Sequence, residues 1–200
     1  GLRPPTSERP YIAGLLDPCT NSKDDPNIPA EKLYDKNDNG LKASNSWAGH
    51  YIVLNPEFKA QVQWRFINRA IDEVENDRVP GIVLVCRNST DTAYFQRLTP
   101  YPRVLLRKSS VQFKDYEGTP IGFGIVVFCM AKNKCQDIYT RFYDVFAEHG
   151  EFNMPVDRTF MASPEFEGLL DRLKLVSSEQ QRDNWILCSR CGKWRVVSYK

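Results

Sequence analysis

Long apolar runs and an excess of charge of one sign are both missing from this 200-residue chain. No apolar run approaches the roughly 20 residues that a membrane-spanning helix needs, so the sequence does not predict a membrane protein. The 27 Lys and Arg residues are nearly balanced by 25 Asp and Glu residues, which leaves a net charge of +2. Binding of nucleic acid through overall positive charge is therefore excluded, and any such site must be a local patch.

Cysteine is also sparse, with six residues in the whole chain. That number is too small for a scaffold stabilised by disulfides. Cys19, Cys86 and Cys129 lie in or beside apolar runs, where a buried and reduced thiol is the usual state. We therefore expect a reducing compartment, either the cytosol or the nucleus.

The residues that are present predict an α/β fold. Hydrophobic residues make up 42% of the chain, which is enough to fill a core. Short apolar runs predict strands at Tyr11–Leu16, Tyr51–Leu54, Ile82–Cys86, Val104–Leu106, Val111–Phe113 and Phe123–Met130. Helical spacing predicts a helix over Ala60–Asp77, and a second, short helix is expected over Asp91–Leu98 with Asp91 as its cap. This alternation predicts a mostly parallel sheet with helices on both faces.

The remaining segments predict a long loop and two C-terminal regions. Residues 20–46 are rich in polar residues and predict the loop. After residue 135 the composition changes, and helices are expected over 137–148 and 164–176. The predicted divisions are a main domain at 1–135, a helical extension with a linker at 136–182, and a cysteine-containing segment at 183–200.

Polar pairs directly follow three of the predicted strands. They are Asp17-Pro18, Asn55-Pro56 and Arg87-Asn88. In a parallel sheet the carboxyl ends of the strands meet at one edge, and ligands bind in the crevice beyond that edge. The pattern therefore predicts that the three pairs share an edge and flank a ligand site.

The segment Asn55-Pro56-Glu57-Phe58 carries the most specific chemistry. It looks like the catalytic tetrapeptide of amino-group methyltransferases, whose usual form is Asp/Asn/Ser-Pro-Pro followed by an aromatic residue. Methylation of an exocyclic amine requires its lone pair to leave the aromatic ring, and two oxygens that accept both amine hydrogens promote this. The Asn55 side chain and the Pro56 carbonyl can supply these oxygens, while Phe58 can stack on a flipped base. An ordinary turn followed by a core Phe58 is the other interpretation.

A longer series of motifs surrounds the tetrapeptide. It consists of Leu16-Asp17-Pro18-Cys19, Asp38-Asn39-Gly40-Leu41, Trp47-Ala48-Gly49, the tetrapeptide, Trp64, Arg87-Asn88-Ser89-Thr90-Asp91-Thr92-Ala93-Tyr94-Phe95 and Gly124-Ile125-Val126-Val127-Phe128. In order and spacing this series resembles the phage-type Dam family of DNA adenine-N6 methyltransferases, over about residues 12–130. The resemblance implies a Rossmann-like fold, S-adenosylmethionine as the methyl donor and adenine in DNA as the acceptor.

The same resemblance implies a set of site residues. The tetrapeptide Asn55-Pro56-Glu57-Phe58 would be the catalytic segment, in which Asn55, Pro56 and Phe58 bind the target amine and base. Asp17-Pro18 and Asp38 would face the cofactor, and Arg87 and Asp91 would line the cleft. Purely structural roles are the alternatives: a turn cap for Asp17, a helix cap for Asp91 and a carboxylate partner for Arg87.

Glu57 stands where the family has a second proline. Loss of the proline ring leaves the backbone less rigid, at a cost of about 0.4–1 kcal/mol in free energy. This corresponds to only about a two- to fivefold effect on rate. The carboxylate matters more, because inside the pocket it would repel DNA phosphates or pair with a sulfonium, whereas outside it would be harmless. The glycine-rich cofactor loop of many relatives also has no counterpart here. An active methyltransferase and a catalytically silent scaffold therefore both stay open, with RNA or protein amines as alternative acceptors.

The C-terminal segment carries a different kind of motif from the main domain, one that is typical of a metal site. Cys188-x-x-Cys191 supplies half of a tetrahedral zinc site, although a redox pair has the same spacing. Its flanks, which include Trp185 and Trp194, resemble the opening of a CW-type zinc finger. The resemblance implies zinc bound by four cysteines, and a cage of Trp185 and Trp194 for methylated lysine in histone tails.

Two further cysteines of such a finger would follow beyond the last residue of this sequence. We therefore expect zinc binding only in a complete finger, and a disordered end over residues 183–200 of this chain. Recruitment of Cys129 or Cys135 as additional ligands is the alternative. A methyl-lysine reader implies a nuclear protein whose partners are DNA and methylated histone tails, with no membrane.

Overall fold

A computed structural model of the chain describes residues 11–107, 122–131 and 136–155, together with Gly168, Asp171 and the segments 184–187 and 194–197. The chain forms two compact units, Gly1–Phe152 and Asn153–Lys200. The predicted strand Val111–Phe113 lies outside the described residues. So does the predicted helix over 164–176, apart from Gly168 and Asp171, which are both helical.

The main sheet has seven strands, and the strands predicted within the described residues are confirmed to within two residues at each end. Its strands are β1 (Ile12–Asp17), β2 (Ala30–Leu33), β3 (Tyr51–Leu54), β4 (Ile82–Arg87), β5 (Arg103–Leu106), β6 (Ile125–Met130) and β7 (Gly150–Asn153). The helices are α1 (Ala60–Glu75), α2 (Ala93–Leu98) and α3 (Gln136–Phe146), and α3 continues into a 3₁₀-helix at Ala147–His149. The α/β class predicted from the sequence is therefore confirmed.

The strands lie in the order β2-β1-β3-β4-β6-β5-β7. The first four are parallel to one another, as predicted. β6 is antiparallel to both β4 and β5, so the sheet is mixed rather than mostly parallel. All six residues of β6 are buried, because the strand lies between two others in the sheet interior.

The core lies between α1 and the sheet. α1 presents a buried stripe to it, formed by Gln63, Phe66, Ile67, Ala70, Ile71, Glu73 and Val74. Burial of such a stripe, rather than helix propensity, provides most of a helix's stability in a protein. Gln63 and Glu73 are the polar exceptions in this stripe, and Gln63 matters for the site.

Two local predictions are wrong. The segment 20–46 was expected to be a loop throughout, yet it contains β2, whose sequence Ala-Glu-Lys-Leu buries only Ala30 fully. An edge strand needs few apolar residues, so hydrophobic patterning does not reveal it. The cap of α2 is Thr92 rather than Asp91, because the Thr92 side chain accepts a hydrogen bond from the N–H of Phe95.

The main sheet continues beyond residue 135. β7 at Gly150–Asn153 is its last strand, next to β5. The expected boundary between main domain and extension therefore falls inside the first compact unit.

The second unit contains a two-stranded antiparallel hairpin. Its strands are β8 (Asn184–Leu187) and β9 (Trp194–Val197), and Trp185 pairs with Val196 while Leu187 pairs with Trp194. These eight residues therefore do not form the disordered end that we expected. Cys188 and Cys191 lie outside the described residues.

Candidate functional site

The carboxyl ends of β1, β3 and β4 meet at one edge of the sheet, because the three strands are adjacent and parallel. Asp17-Pro18, Asn55-Pro56 and Arg87-Asn88 therefore share this edge, as predicted. From β1 the chain moves to β2 on one side, and from β3 it moves to β4 on the other. This reversal between β1 and β3 is a topological switch point, the position at which open α/β sheets bind ligands.

Asp17 and Cys19 join the two strands at the switch point. Asp17 ends β1 and is only 4% exposed, and its Oδ1 accepts the N–H of Cys19 at 3.0 Å. Burial raises the pKa of Asp17 to about 6, although hydrogen bonds from Cys19 and Thr20 oppose the shift. The Cys19 thiol lies close to the Asp17 carboxyl and to the backbone N–H of Asn55. The turn-capping role considered for Asp17 is therefore real, and its side chain is also part of the switch point.

Asn55 and Pro56 differ in exposure in a way that suits the chemistry predicted for them. Pro56 is buried and fixes the turn, whereas Asn55 is exposed. Within the described part of the chain, neither the Asn55 side-chain amide nor the Pro56 carbonyl takes part in a hydrogen bond. Both oxygens can therefore accept hydrogens from a ligand.

Glu57 is directed towards solvent and not into the crevice. Its Oε2 lies 2.8 Å from Lys59 Nζ, and the two side chains are 55% and 77% exposed. The hydrogen bond from Lys59 and its charge hold the pKa of Glu57 below its usual value, and the charge of Lys36 adds to the effect. Of the two orientations considered from the sequence, the structure therefore has the outward one.

Phe58 contacts an aromatic residue that the sequence did not identify as part of the site. The rings of Phe58 and Phe123 are 5.3 Å apart and nearly perpendicular, at 68°. Phe123 precedes β6, and because β6 is antiparallel its first residues lie beside the end of β4, where Arg87 pairs with Ile125. The only available signal was an aromatic residue between two glycines, Gly122 and Gly124.

Arg87 completes this group. Its Cζ lies 4.5 Å from the centroid of the Phe123 ring, a cation–π contact. Its Nε is buried and has no hydrogen-bond partner. Among the described residues Arg87 forms no ion pair with a carboxylate. Phe58, Phe123 and Arg87 form what we call the ring cluster.

Asp38 lies in a loop that is pressed against the end of β1. A Cβ on Gly40 would be 1.8 Å from the Pro18 carbonyl oxygen, so only glycine allows this approach. Asp38 Oδ2 lies 2.6 Å from Lys23 Nζ, and this hydrogen bond lowers the pKa of Asp38. The structure therefore places Asp38 near the switch point but already paired. Asp91 is exposed in the connection between β4 and α2.

The same loop is anchored by a tryptophan and an arginine whose roles the sequence did not reveal. Trp47 is fully buried, and its Nε1 donates to the Gly40 carbonyl at 3.0 Å. Arg69 of α1 lies over the Trp47 ring at 4.5 Å and donates to the carbonyls of Gly40 and Asn45. These contacts fix the loop against Pro18 and so stabilise one wall of the crevice.

Gln63 is an unusual core residue. It is fully buried in the first turns of α1, and neither its Oε1 nor its Nε2 has a hydrogen-bond partner. α1 follows β3, so its first turns lie near the edge that carries Asn55. Across the described residues, the buried side-chain atoms without partners belong to Gln63 and Arg87 alone. Because buried polar groups are nearly always paired, both residues suggest contact with a ligand or water.

Metal sites and membrane-spanning helices can be searched for only among the described residues. Within the described ranges no group of three or more His, Cys, Asp and Glu side chains could hold a metal ion. No described helix is long and apolar enough to cross a membrane.

No protein-family model, curated protein or solved structure matches the chain.

Proposed function

We propose that the main sheet and its helices form a Rossmann-like, S-adenosylmethionine-dependent methyltransferase that modifies the exocyclic N6 of adenine in DNA. One observation carries this proposal. Asn55 and Pro56 lie at the topological switch point, and neither the Asn55 side-chain amide nor the Pro56 carbonyl forms a hydrogen bond with another described residue; Phe58 follows in the same segment. An acceptor, a rigid turn and an aromatic ring are the groups that amine methylation needs.

The residues act by positioning and polarising the amine. Asn55 Oδ1 and the Pro56 carbonyl accept its two hydrogens, which draws the nitrogen lone pair out of the ring. Phe58 supports the base by stacking, a contact worth about 1–3 kcal/mol. When bound, S-adenosylmethionine supplies a methyl group attached to a positively charged sulfur. The Asp17 carboxyl fits such a cation, since with a pKa of about 6 it is mostly ionised at neutral pH.

A catalytically silent scaffold is the second candidate, and one observation favours it. The connection from β1 to β2, residues 18–29, contains neither a helix nor a glycine. Rossmann-like folds usually place a glycine-rich turn and a helix N-terminus there, so that backbone approaches the cofactor closely. A domain can lose this cradle and still keep its sheet as a binding platform.

The C-terminal segment supports a chromatin setting for the intact protein. Cys188 and Cys191 fall in the connection between β8 and β9, and Trp185 and Trp194 belong to those strands. We infer that a complete CW-type finger binds zinc and methylated histone tails, and that the protein is nuclear. A longer chain should therefore contain one zinc ion, and its absence from metal analysis would contradict this part of the proposal.

Cofactor binding and methyl transfer test the main proposal together. Calorimetry with S-adenosylmethionine measures binding, and transfer of labelled methyl groups is measured to DNA, RNA and histone substrates. Asn55→Ala should abolish most transfer while cofactor binding persists. Asn76→Ala is the control, because Asn76 is an exposed asparagine at the other end of α1. Binding without transfer would establish the scaffold, and no binding at all would overturn the cofactor assignment.

A further inference from the structure

Two lysines and one glutamate form a small charged surface next to the catalytic tetrapeptide. Lys59 Nζ contacts Glu57 Oε2 at 2.8 Å, and both side chains are largely exposed. Lys36 is also exposed, and its positive charge acts on Glu57. The Glu57 carboxylate is therefore paired with Lys59 and lies in the field of a second cation, Lys36.

This charged surface lies where a nucleic-acid strand would pass. Lys59 directly follows Phe58 and forms the N-terminal cap position of α1, at the edge that carries Asn55. A base flipped towards Asn55 stays attached to its sugar and phosphates, so the neighbouring phosphates must cross the same edge. Lysine and arginine contacts to phosphates provide most of the sequence-independent affinity for nucleic acid.

We propose that Glu57 is a built-in competitor for a nucleic-acid phosphate. Its carboxylate occupies Lys59 in the free protein, and a backbone phosphate displaces it when a strand binds. This inference rests on the proposed function, because it needs nucleic acid at the site. Binding of Lys59 to the phosphate releases a counterion from the nucleic acid. The displaced Glu57 carboxylate takes up a cation from solution, so the net release of ions is smaller by about one. Glu57 therefore weakens binding and makes it less sensitive to salt.

The affinity of the full chain for DNA, measured over a range of salt concentrations, tests this competition. Fluorescence anisotropy with a labelled mixed-sequence duplex, and with one of its single strands, gives the affinity. Glu57→Gln should tighten binding by about two- to fivefold at about 0.1 M salt, the usual strength of an exposed ion pair. It should also steepen the plot of log affinity against log salt by about 0.9 for the duplex.

Glu75→Gln is the matched control, because it makes the same charge change at the last residue of α1. That position is about 22 Å from the start of the helix and beyond a Debye length of about 8–10 Å, so binding should not change. In a Lys59→Met background, Glu57→Gln should lose most of its effect. An equal gain in DNA affinity with and without Lys59 would mean that Glu57 only repels the phosphates through its negative charge. That result would overturn the proposal.

The outcomes separate this proposal from the one on which it rests. If wild-type protein binds DNA but Glu57→Gln changes neither affinity nor salt dependence, the competition is wrong and the proposed function stands. If wild-type protein binds neither duplex nor single strand, the proposed function fails and the competition fails with it.

Discussion

The thiol of Cys19, after β1, lies close to the backbone N–H of Asn55, after β3, so a side chain connects the ends of the two strands beyond their last pairing. The same thiol lies against the Asp17 carboxyl. The exposed Asn55 is therefore contacted through its backbone, while its side chain forms no hydrogen bond with another described residue. This arrangement positions Asn55 without using its side-chain hydrogen-bonding atoms.

Replacement of Cys19 should test this connection. Cys19→Val replaces the polar thiol beside the Asp17 carboxyl and the Asn55 N–H with an apolar side chain, which should cost about 1–3 kcal/mol. Cys19→Ser retains a donor and an acceptor and should recover part of the loss. Urea unfolding measures both variants. Equal stability of the valine and serine variants would show that the thiol only fills space.

The stability of the protein should depend on the ionisation of Asp17. Its pKa in the folded protein, about 6, lies above the usual 3.8, so the folded state holds the proton more tightly than the unfolded chain. The resulting stabilisation is complete below about pH 4 and is lost as the pH rises through about 6. The free energy of unfolding should fall by about 3 kcal/mol over this range.

Asp17→Asn should remove this dependence while its side-chain oxygen still accepts the N–H of Cys19. The difference in unfolding free energy between the variant and wild type should grow in favour of the variant as the pH rises from about 4 to about 7. Asp24→Asn, at an exposed aspartate, is the control and should show no such trend. A constant difference for Asp17→Asn would contradict the prediction.

Gly40→Ala should disturb the wall of the crevice. The added Cβ would lie 1.8 Å from the Pro18 carbonyl oxygen, so the backbone of one loop must move. We expect a loss of stability of about 1–3 kcal/mol or more, measured by thermal or urea unfolding. Gly49→Ala is the control, since its Cβ meets no atom within 4 Å and only its φ of +79° is unfavourable. A smaller loss at Gly40 than at Gly49 would argue against the close approach.

Gln63→Leu should stabilise the free protein and weaken ligand binding together. Removal of two buried polar atoms without partners should raise the unfolding free energy by about 1–3 kcal/mol. Gln61→Leu makes the same change at an exposed position of α1 and should do neither. Stabilisation with unchanged affinity for S-adenosylmethionine and DNA would show that Gln63 is a packing defect and has no part in the site.

The edge that carries the site could be predicted from the sequence, but its contacts could not. Apolar runs located β1, β3 and β4, and parallel order alone then brought Asp17, Asn55 and Arg87 to one edge. The contact of Phe58 with Phe123 depends on the antiparallel insertion of β6 beside β4, which no local pattern encodes. The sequence also did not predict which residue Glu57 pairs with, because that depends on the direction of its side chain. In the structure Glu57 forms an exposed ion pair with Lys59, two residues further along the chain.

The position of β6 has a consequence for how the chain completes its fold. β5 is synthesised before β6 but joins β4 only through it, so both β4 and β5 lack this partner until residues 125–130 have left the ribosome. An unpaired apolar edge recruits other strands, and pairings distant in sequence form slowly. A nascent chain that ends before β6 therefore exposes the edge of β4, which makes it a target for chaperones and for aggregation. Synthesis of β6, and not of Asn55-Pro56-Glu57-Phe58, is the step that connects β4 to β5.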